Sequence, residues 1–234
     1  MTDELWVCHL PAIEYRAATG LQERVRAARQ AERIPDTLLL LEHPPVYTRG
    51  RRSAPGELTM GEDWYRERGI DIVDTDRGGR VTYHGPGQLV GYPIMRIDDV
   101  IAYLRTMERA IVAALTDHGI SARARPDEGP DFTGVWAAQR KIASIGVHVA
   151  RGVTTHGFAI NVDNDLAPFG WVVPCGLTGV QMTSVRLETA PLRDGDVALL
   201  TAVREDMALR FAQAFGRRVI EVEVDRVDAA APAA

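Results

Sequence analysis

The chain has 234 residues, a hydrophobic fraction of 46% and a formal net charge of −5. This charge gives no general attraction to nucleic acid or to an anionic membrane surface, and no run approaches the roughly 18 apolar residues that span a bilayer. Residues 1–4 lack a basic region followed by an apolar stretch, so we expect a cytoplasmic protein. The two cysteines, Cys8 and Cys175, are then expected to be free thiols.

In chain order, the first predicted elements are a strand at residues 5–10 and a helix at 14–33, where apolar residues recur at spacings of three and four. A strand follows at 37–41, and residues 49–69, rich in Arg, Gly and Pro, predict a surface loop. Further strands are predicted at 70–74, 81–84, 88–95, 142–149 and 154–160, helices at 98–118 and 196–215, and a loop at 125–131.

The order of these elements predicts the fold class. Strands cluster in the middle of the chain, and helices lie between groups of strands instead of alternating with them, which favours α+β over a doubly wound parallel sheet. We therefore expect a mixed, largely antiparallel central sheet flanked by helices. A single catalytic domain is predicted at residues 1–227, followed by an Ala/Pro-rich, disordered tail at 228–234.

Lysine occurs once, at position 141, whereas the other 26 of the 27 basic residues are arginine. Arginine replaces a surface lysine with little effect, but its guanidinium cannot give up a proton at a useful pH. A chance leftover and a functional lysine are both compatible with this composition. The position of Lys141 at the start of a predicted strand makes it a candidate for proton exchange.

Cys175 lies between Pro174 and Gly176. The glycine would let another group approach the sulfur, and its N–H could face an oxyanion. A thiol becomes an effective nucleophile when a nearby cation favours the thiolate. Cysteine is also one of the most commonly buried residues, so a purely structural thiol is the alternative. For Cys8, flanked by strand-like residues, the structural interpretation is the one we adopt.

The stretch at residues 77–88 is rich in glycine but has neither GxxxxGK[ST] nor the GxGxxG spacing of nucleotide loops. We interpret it as a strand and turn that line a channel. His43, His84, His156 and Cys175 could be combined into a zinc site, but they lack the CxxC or HExxH spacing, and we predict no metal. A local basic rim is either a solvated face or a docking surface for acidic partner domains. Its members are Arg49, Arg51, Arg52, Arg77, Arg80 and Arg140.

Five segments together resemble the octanoyltransferase family, also called lipoyl/octanoyl protein transferase B. They are LLLEHPPVYTRG, RGGRVTYHGPGQLVGYPI, RKIASIGV, THGFAINV and PCG, between residues 38 and 176. The resemblance implies the fold of biotin and lipoate protein ligases and no cofactor. It implies transfer of octanoyl from acyl carrier protein to a lysine of lipoyl domains, the first step of endogenous lipoate biosynthesis.

By the same motif match, Cys175 would carry the acyl thioester and Lys141 would exchange protons with it, in a ping-pong reaction. The implied acceptors are the lipoyl domains of 2-oxoacid dehydrogenase complexes and the glycine cleavage H protein, and a monomer is expected. The residues implied to line the acyl site are Arg77, Gly78, Gly79, Arg80, Val81, Thr82, Tyr83, His84, Ser144, Ile145, Gly146, Gly157, Phe158 and Ala159.

Two other functions stay open. An ATP-dependent lipoate or biotin ligase would share the fold but needs no cysteine nucleophile. A non-catalytic module that binds the acyl carrier would keep its binding without Cys175 and would have no turnover.

Overall fold

The computed structural model of the chain describes residues 3–172, 180–189 and 198–231. The helices are α1 (Tyr15–Gln30), α2 (Glu62–Arg66), α3 (Val100–Asp117), α4 (Val185–Thr189), α5 (Ala198–Ala214) and α6 (Val224–Ala230). The strands are β1 (Glu4–Ala12), β2 (Asp36–Glu42), β3 (Val46–Arg49), β4 (Asp71–Asp74), β5 (Thr82–His84), β6 (Gln88–Ile94), β7 (Ala122–Ala124), β8 (Gly134–Ala137), β9 (Arg140–Ala150), β10 (Val153–Asn161) and β11 (Arg218–Glu221).

A mixed sheet organises the described part of the chain. Its strand order is β11-β1-β2-β6-β10-β9-β8-β7. Strand β1 runs parallel to β11 and β2, and each of the other neighbouring pairs is antiparallel. The predicted α+β class, with a mixed and largely antiparallel sheet, is confirmed.

Four consecutive leucines show how the sheet joins two cores. Leu38 and Leu40 pack against the core under α3 and α5, whereas Leu39 and Leu41 pack against the core under α1 and α6. Successive side chains of a strand point to opposite faces, so an unbroken apolar run is what a strand covered on both faces requires. Each fully buried leucine contributes about 1.5–3 kcal/mol of transfer free energy.

A smaller sheet has the strand order β4-β3-β5, and its strand β5 faces β6, β9 and β10 of the large sheet across a cleft. A third apolar cluster, which includes Tyr47, Tyr83 and Val172, supports it. Its loop at residues 75–81 touches β9, where Gly78 N–H donates to Val147 O at 2.9 Å. A Cβ on Gly146 would lie 2.8 Å from Gly78 O, so this crossing requires glycine. We call the loop at 75–81 the roof loop.

The structure adds strands β3, β7 and β11 and helices α4 and α6 to the predicted elements, and it differs from the predictions at two further places. The predicted surface loop at 49–69 contains helix α2, whose Tyr65 is buried. The predicted domain boundary at residue 227 falls inside α6, and Val227 and Ala231 are both buried. The expected disorder from residue 228 therefore does not hold for residues 228–231, because this helix packs on the core beside β1. In the described ranges, the helices are all too short or too polar to cross a bilayer.

Candidate active site

A cleft of about 520 Å³, counted out to its open mouth, lies between the large sheet and the roof loop. Its walls are Tyr15, Arg77, Gly79, Arg80, Val81, Thr82, His84, Val90, Tyr92, Lys141, Ser144, Ile145, Gly146, His156, Gly157, Phe158 and Ala159. All of the predicted acyl-site residues are in this lining except Gly78 and Tyr83. Three segments that are far apart in sequence therefore meet at one cleft, and Lys141 lies in it with them.

The two exceptions have a structural reason. Tyr83 alternates with Thr82 and His84 along β5, so its side chain points away from the cleft and into the apolar cluster with Tyr47 and Phe169. Gly78 acts through its backbone, which is bonded to β9. Both residues support the wall without lining it.

Four lining residues were absent from the predicted acyl site. Tyr15 comes from the first turn of α1, where its spacing looked like that of any core residue. Val90 and Tyr92 alternate on one face of β6, within a matched segment. His156 immediately precedes the predicted residues Gly157–Ala159 and was considered only as a metal ligand. The alternation in β6 was a usable signal, whereas Tyr15 gave none.

Two buried histidines, His84 in the cleft wall and His43 beside it, are held neutral. His43 Nδ1 donates to Ile13 O at 2.7 Å, so its Nε2 accepts from the Tyr92 hydroxyl at 2.6 Å. Burial lowers the pKa of His43 to about 4, against the opposing effect of the Ile13 hydrogen bond. His84 Nδ1 donates to Gln88 Oε1 at 2.7 Å, and burial, with a smaller effect of His43, holds the pKa of His84 well below its usual value. These rings therefore give the cleft polar edges without charge.

His156 links the sheet to the roof loop. Its backbone has the left-handed φ of +57°, and its N–H donates to Gln22 Oε1 at 2.7 Å. Its Nε2 lies 2.7 Å from Asp76 Oδ1, and the Tyr15 hydroxyl lies 3.3 Å from its Nδ1. The hydrogen bond from His156 is the largest cause that lowers the pKa of Asp76 to about 2. Asp76 is therefore an ionised acceptor at the edge of the cleft.

The three histidines of the zinc alternative thus each contact a protein group. Within residues 3–172, 180–189 and 198–231, no group of three or more His, Cys, Asp or Glu side chains is arranged to hold a metal ion. Cys175, the fourth member of that alternative, lies outside these ranges.

Lys141 is held by its backbone on two sides. On one side it pairs with Trp136 of β8, next to a register shift that leaves Ile142 as the extra residue of a β-bulge. On the other side its N–H donates to Gln181 O at 2.8 Å, and its C=O accepts from Thr183 N–H at 3.0 Å. The side chain enters the cleft, and the residue is 3% exposed. Lys141 is therefore a buried amine with a fixed backbone.

Cys175, the predicted nucleophile, lies outside the described residues. The described chain on either side of it ends at the candidate site. Val172 packs in the apolar cluster with Val81, and Gln181 contacts Lys141.

The predicted basic rim is largely neutralised by carboxylates of the chain itself, so it offers less free charge than its sequence indicates. Arg49 pairs with Glu62 and Asp74, Arg52 with Asp131, Arg80 with Glu57, and Arg140 with Glu188. Arg77 is buried and donates to Thr48. Arg51 is exposed.

Known proteins resemble this chain in sequence and in fold. The lipoyl protein ligase A/B catalytic domain family matches residues 14–203. The octanoyltransferase of Solibacter usitatus is 50% identical over 173 residues, which cover 72% of this chain and 77% of that protein. The octanoyltransferase of Acidobacterium capsulatum is 38% identical over 232 residues, which cover 92% of each chain.

Among solved structures, a bipartite lipoate protein ligase from Thermoplasma acidophilum superposes with a TM-score of 0.71. It is 20% identical and covers 99% of this chain and 91% of that chain, so the likeness supports the fold alone. The family match and the two bacterial relatives establish more than the fold. The chain belongs to the lipoyl protein ligase A/B family and, within it, to the octanoyltransferases.

Proposed function

We propose that this chain transfers an octanoyl group from acyl carrier protein to a lysine of a lipoyl domain, through a thioester on Cys175. The octanoyltransferase relatives support acyl transfer in lipoate biosynthesis. One observation carries the proposal for this site: the chain's sole lysine, Lys141, lies buried in a cleft lined by the residues of the matched segments.

The first half of the proposed reaction loads the enzyme. Cys175 gives its proton to Lys141, and the thiolate attacks the thioester carbonyl of the donor. The tetrahedral intermediate collapses as the carbon–sulfur bond to the carrier's thiol breaks. Lys141 returns the proton to that leaving sulfur, which yields octanoyl-Cys175 and free carrier thiol.

The second half delivers the acyl group. The amine of the target lysine attacks octanoyl-Cys175, and Lys141 accepts a proton from the attacking nitrogen. The bond to the Cys175 sulfur breaks, Lys141 passes its proton to the departing sulfur, and the products are an amide and a free enzyme thiol. Because a thioester is converted to an amide, the sequence is downhill and needs no nucleotide, and the kinetics are ping-pong.

Chain connectivity supports the pairing of Cys175 with Lys141. Cys175 is three residues from Val172, whose side chain packs beside Val81 of the cleft, and six residues from Gln181, whose carbonyl accepts the Lys141 N–H. A fully extended chain spans about 3.5 Å per residue, so the Cα of Cys175 can be no more than about 10 Å from that of Val172 and about 20 Å from that of Gln181. This connectivity supports the proposal that Cys175 acts at the cleft.

The proposed acceptors are the lipoyl domains of 2-oxoacid dehydrogenase complexes and the glycine cleavage H protein. We propose that a monomer meets them and the donor in the cytoplasm. Because internal ion pairs neutralise most of the basic rim, docking of an acidic partner would rely on it less than the six arginines indicate.

The decisive experiment is incubation with octanoyl carrier protein, followed by intact mass. We expect one octanoyl adduct, labile to hydroxylamine and located on Cys175 by peptide mapping, and none in Cys175→Ala. The matched control is Cys8→Ala, which should still be acylated, because burial raises the pKa of the Cys8 thiol to about 11. An unmodified Cys175 in active protein would refute the proposed mechanism.

Lys141→Arg separates proton exchange from simple charge pairing. The guanidinium can face a thiolate but cannot shuttle a proton, so acylation should slow by about two orders of magnitude. The neighbouring Arg140→Lys keeps its charge and should acylate at the wild-type rate. Turnover of free octanoate that requires ATP would favour the ligase alternative, and tight carrier binding without turnover would favour the binding module.

A further inference from the structure

We propose that Trp136 is a positioning residue that holds the Lys141 ammonium against its ring face, in the place where a carboxylate would normally lie. The inference rests on the proposed proton exchange at Lys141 for its meaning, but its central observation is geometric. Lys141 Nζ lies 5.4 Å from the centroid of the Trp136 ring.

The surroundings of this ammonium are unusual for a buried cation. Lys141 is 3% exposed, and within the described parts of the chain its Nζ forms no ion pair with a carboxylate. Burial of a cation without compensation is costly, and an aromatic face within about 6 Å is one of the few groups that offsets this cost. Trp136 is placed to do so.

A ring face suits proton exchange better than a carboxylate would. A carboxylate within ion-pair distance favours the charged lysine strongly and competes for its proton. The quadrupole of an indole attracts the ammonium but has no lone pair at its face to accept the proton. Trp136 can therefore orient the amine while leaving it free to exchange a proton with the reacting sulfur.

The ring is itself fixed in place. Trp136 is 1% exposed, and its Nε1–H donates to Phe132 O at 3.0 Å. Arg125 Cζ lies 4.2 Å from the same ring, and this guanidinium donates to Ala138 O at 2.9 Å. Two cations thus share one rigid indole, and the position of Lys141 Nζ is linked to the 125–132 segment.

The backbone is shaped for this contact. Gly134 of β8 has a φ of +132°, and a Cβ there would lie 2.9 Å from Lys141 Cε. The register shift in β9 pairs Lys141 with Trp136 instead of leaving them staggered. The missing side chain gives room for the lysine stem, and the bulge directs it toward the ring.

Because lysine occurs once in the chain, the test can observe Lys141 alone. Full-length protein labelled with [¹³C,¹⁵N]lysine gives one set of side-chain NMR signals. In the wild type we expect the Lys141 Hε signals to be shifted upfield by the indole ring current, relative to a lysine in an unfolded peptide. Unshifted Hε signals in the folded wild type would overturn the proposal, and this readout needs neither a variant nor activity.

Variants then connect the contact to the reaction. Trp136→Leu should abolish the upfield shift and slow acylation about tenfold, with the KM for the donor changed less than about twofold. Trp136→Phe retains a ring face and should recover most of the rate and shift. The control is Phe215→Leu, which removes a ring that packs on Tyr103 and Phe211 outside the cleft lining and should acylate at the wild-type rate. Wild-type rates in a folded Trp136→Leu would refute the positioning role, whereas no acylation of the wild type would refute only the proposed function.

Discussion

His156 Nε2 donates a hydrogen bond of 2.7 Å to Asp76 Oδ1, which joins strand β10 to the roof loop across 80 positions of sequence. The imidazole belongs to the floor of the cleft and the carboxylate to its roof. Because Arg77 and Gly79 lie within three residues of Asp76, this bond fixes the part of the roof that lines the cleft.

Replacement of Asp76 by Asn should make stability less dependent on pH in acid. The pKa of Asp76 is lowered to about 2, mainly by the His156 hydrogen bond, against about 4 in an unfolded chain. The stabilisation is thus fully present above pH 4 and is lost as the pH falls toward 2. About half of the Asp76 side chain is exposed, so solvent screening reduces the contribution of this ion pair to the free energy of unfolding to about 1 kcal/mol. Urea unfolding of the wild type and Asp76→Asn at pH 7 and at pH 2 measures the difference in stability, which should be much smaller at pH 2.

The matched control for Asp76→Asn is His148→Ala. His148 Nε2 lies 3.4 Å from Asp76 Oδ2 and is a minor cause of the lowered pKa of Asp76. This variant should retain most of the acid dependence. Equal losses from both variants would contradict the assignment to His156.

His43 should make the protein sensitive to mild acid. Burial lowers its pKa to about 4, whereas an unfolded histidine titrates near 6.5. Between these values the unfolded chain binds a proton that the folded protein excludes, so stability falls by about 1.4 kcal/mol per pH unit as the pH drops from 6.5 to 4. His43→Asn should be less stable at pH 7, but its free energy of unfolding should depend less on pH between 6.5 and 4, by the contribution of one proton. An unchanged slope from pH 6.5 to 4.5 would show that His43 titrates normally.

Gly134→Ala should harm both stability and acylation. A Cβ there would lie 2.4 Å from Ala143 O and 2.9 Å from Lys141 Cε, at a φ of +132°. We expect a loss of about 2 kcal/mol or more and a displaced Lys141. Gly129→Ala is the control, since its φ is +100° but nothing lies within 4 Å of a Cβ. A thermal melt and an acylation rate, measured for each variant, distinguish backbone strain from the steric effect on Lys141. Equal acylation rates in the two variants would count against the steric effect.

Gly20→Ala is expected to stabilise the protein. Gly20 lies in the middle of α1, its φ is not left-handed, and a Cβ there meets no atom within 4 Å. Alanine should add about 0.5–1 kcal/mol by its helix propensity and by reducing the entropy of the unfolded chain. Denaturant unfolding checks this, with Gly119→Ala at a φ of +75° as the destabilising control.

Local pattern was enough to predict helices α1, α3 and α5 and most strands of the large sheet, but not the short elements β3, β7, β11, α2, α4 and α6. The leucine run of β2 and the spacing in α1 determine which side chains face a core, because side-chain direction follows from backbone periodicity within a few residues. The composition indicated Lys141, because lysine occurs once in the chain. The matched segments indicated most of the cleft, because each is a continuous stretch of sequence.

Contacts across the fold carried no such signal. Tyr15 lines the cleft because the start of α1 lies beside it, and His156 binds Asp76 because the roof loop crosses the large sheet. Trp136 faces Lys141 because a β-bulge sets the register of β8 and β9. The ion pairs of the basic rim could not be predicted for the same reason: the chain order shows six arginines but not the carboxylates that pair with four of them. Such pairings depend on packing between segments that are far apart in sequence, and periodicity and composition do not encode them.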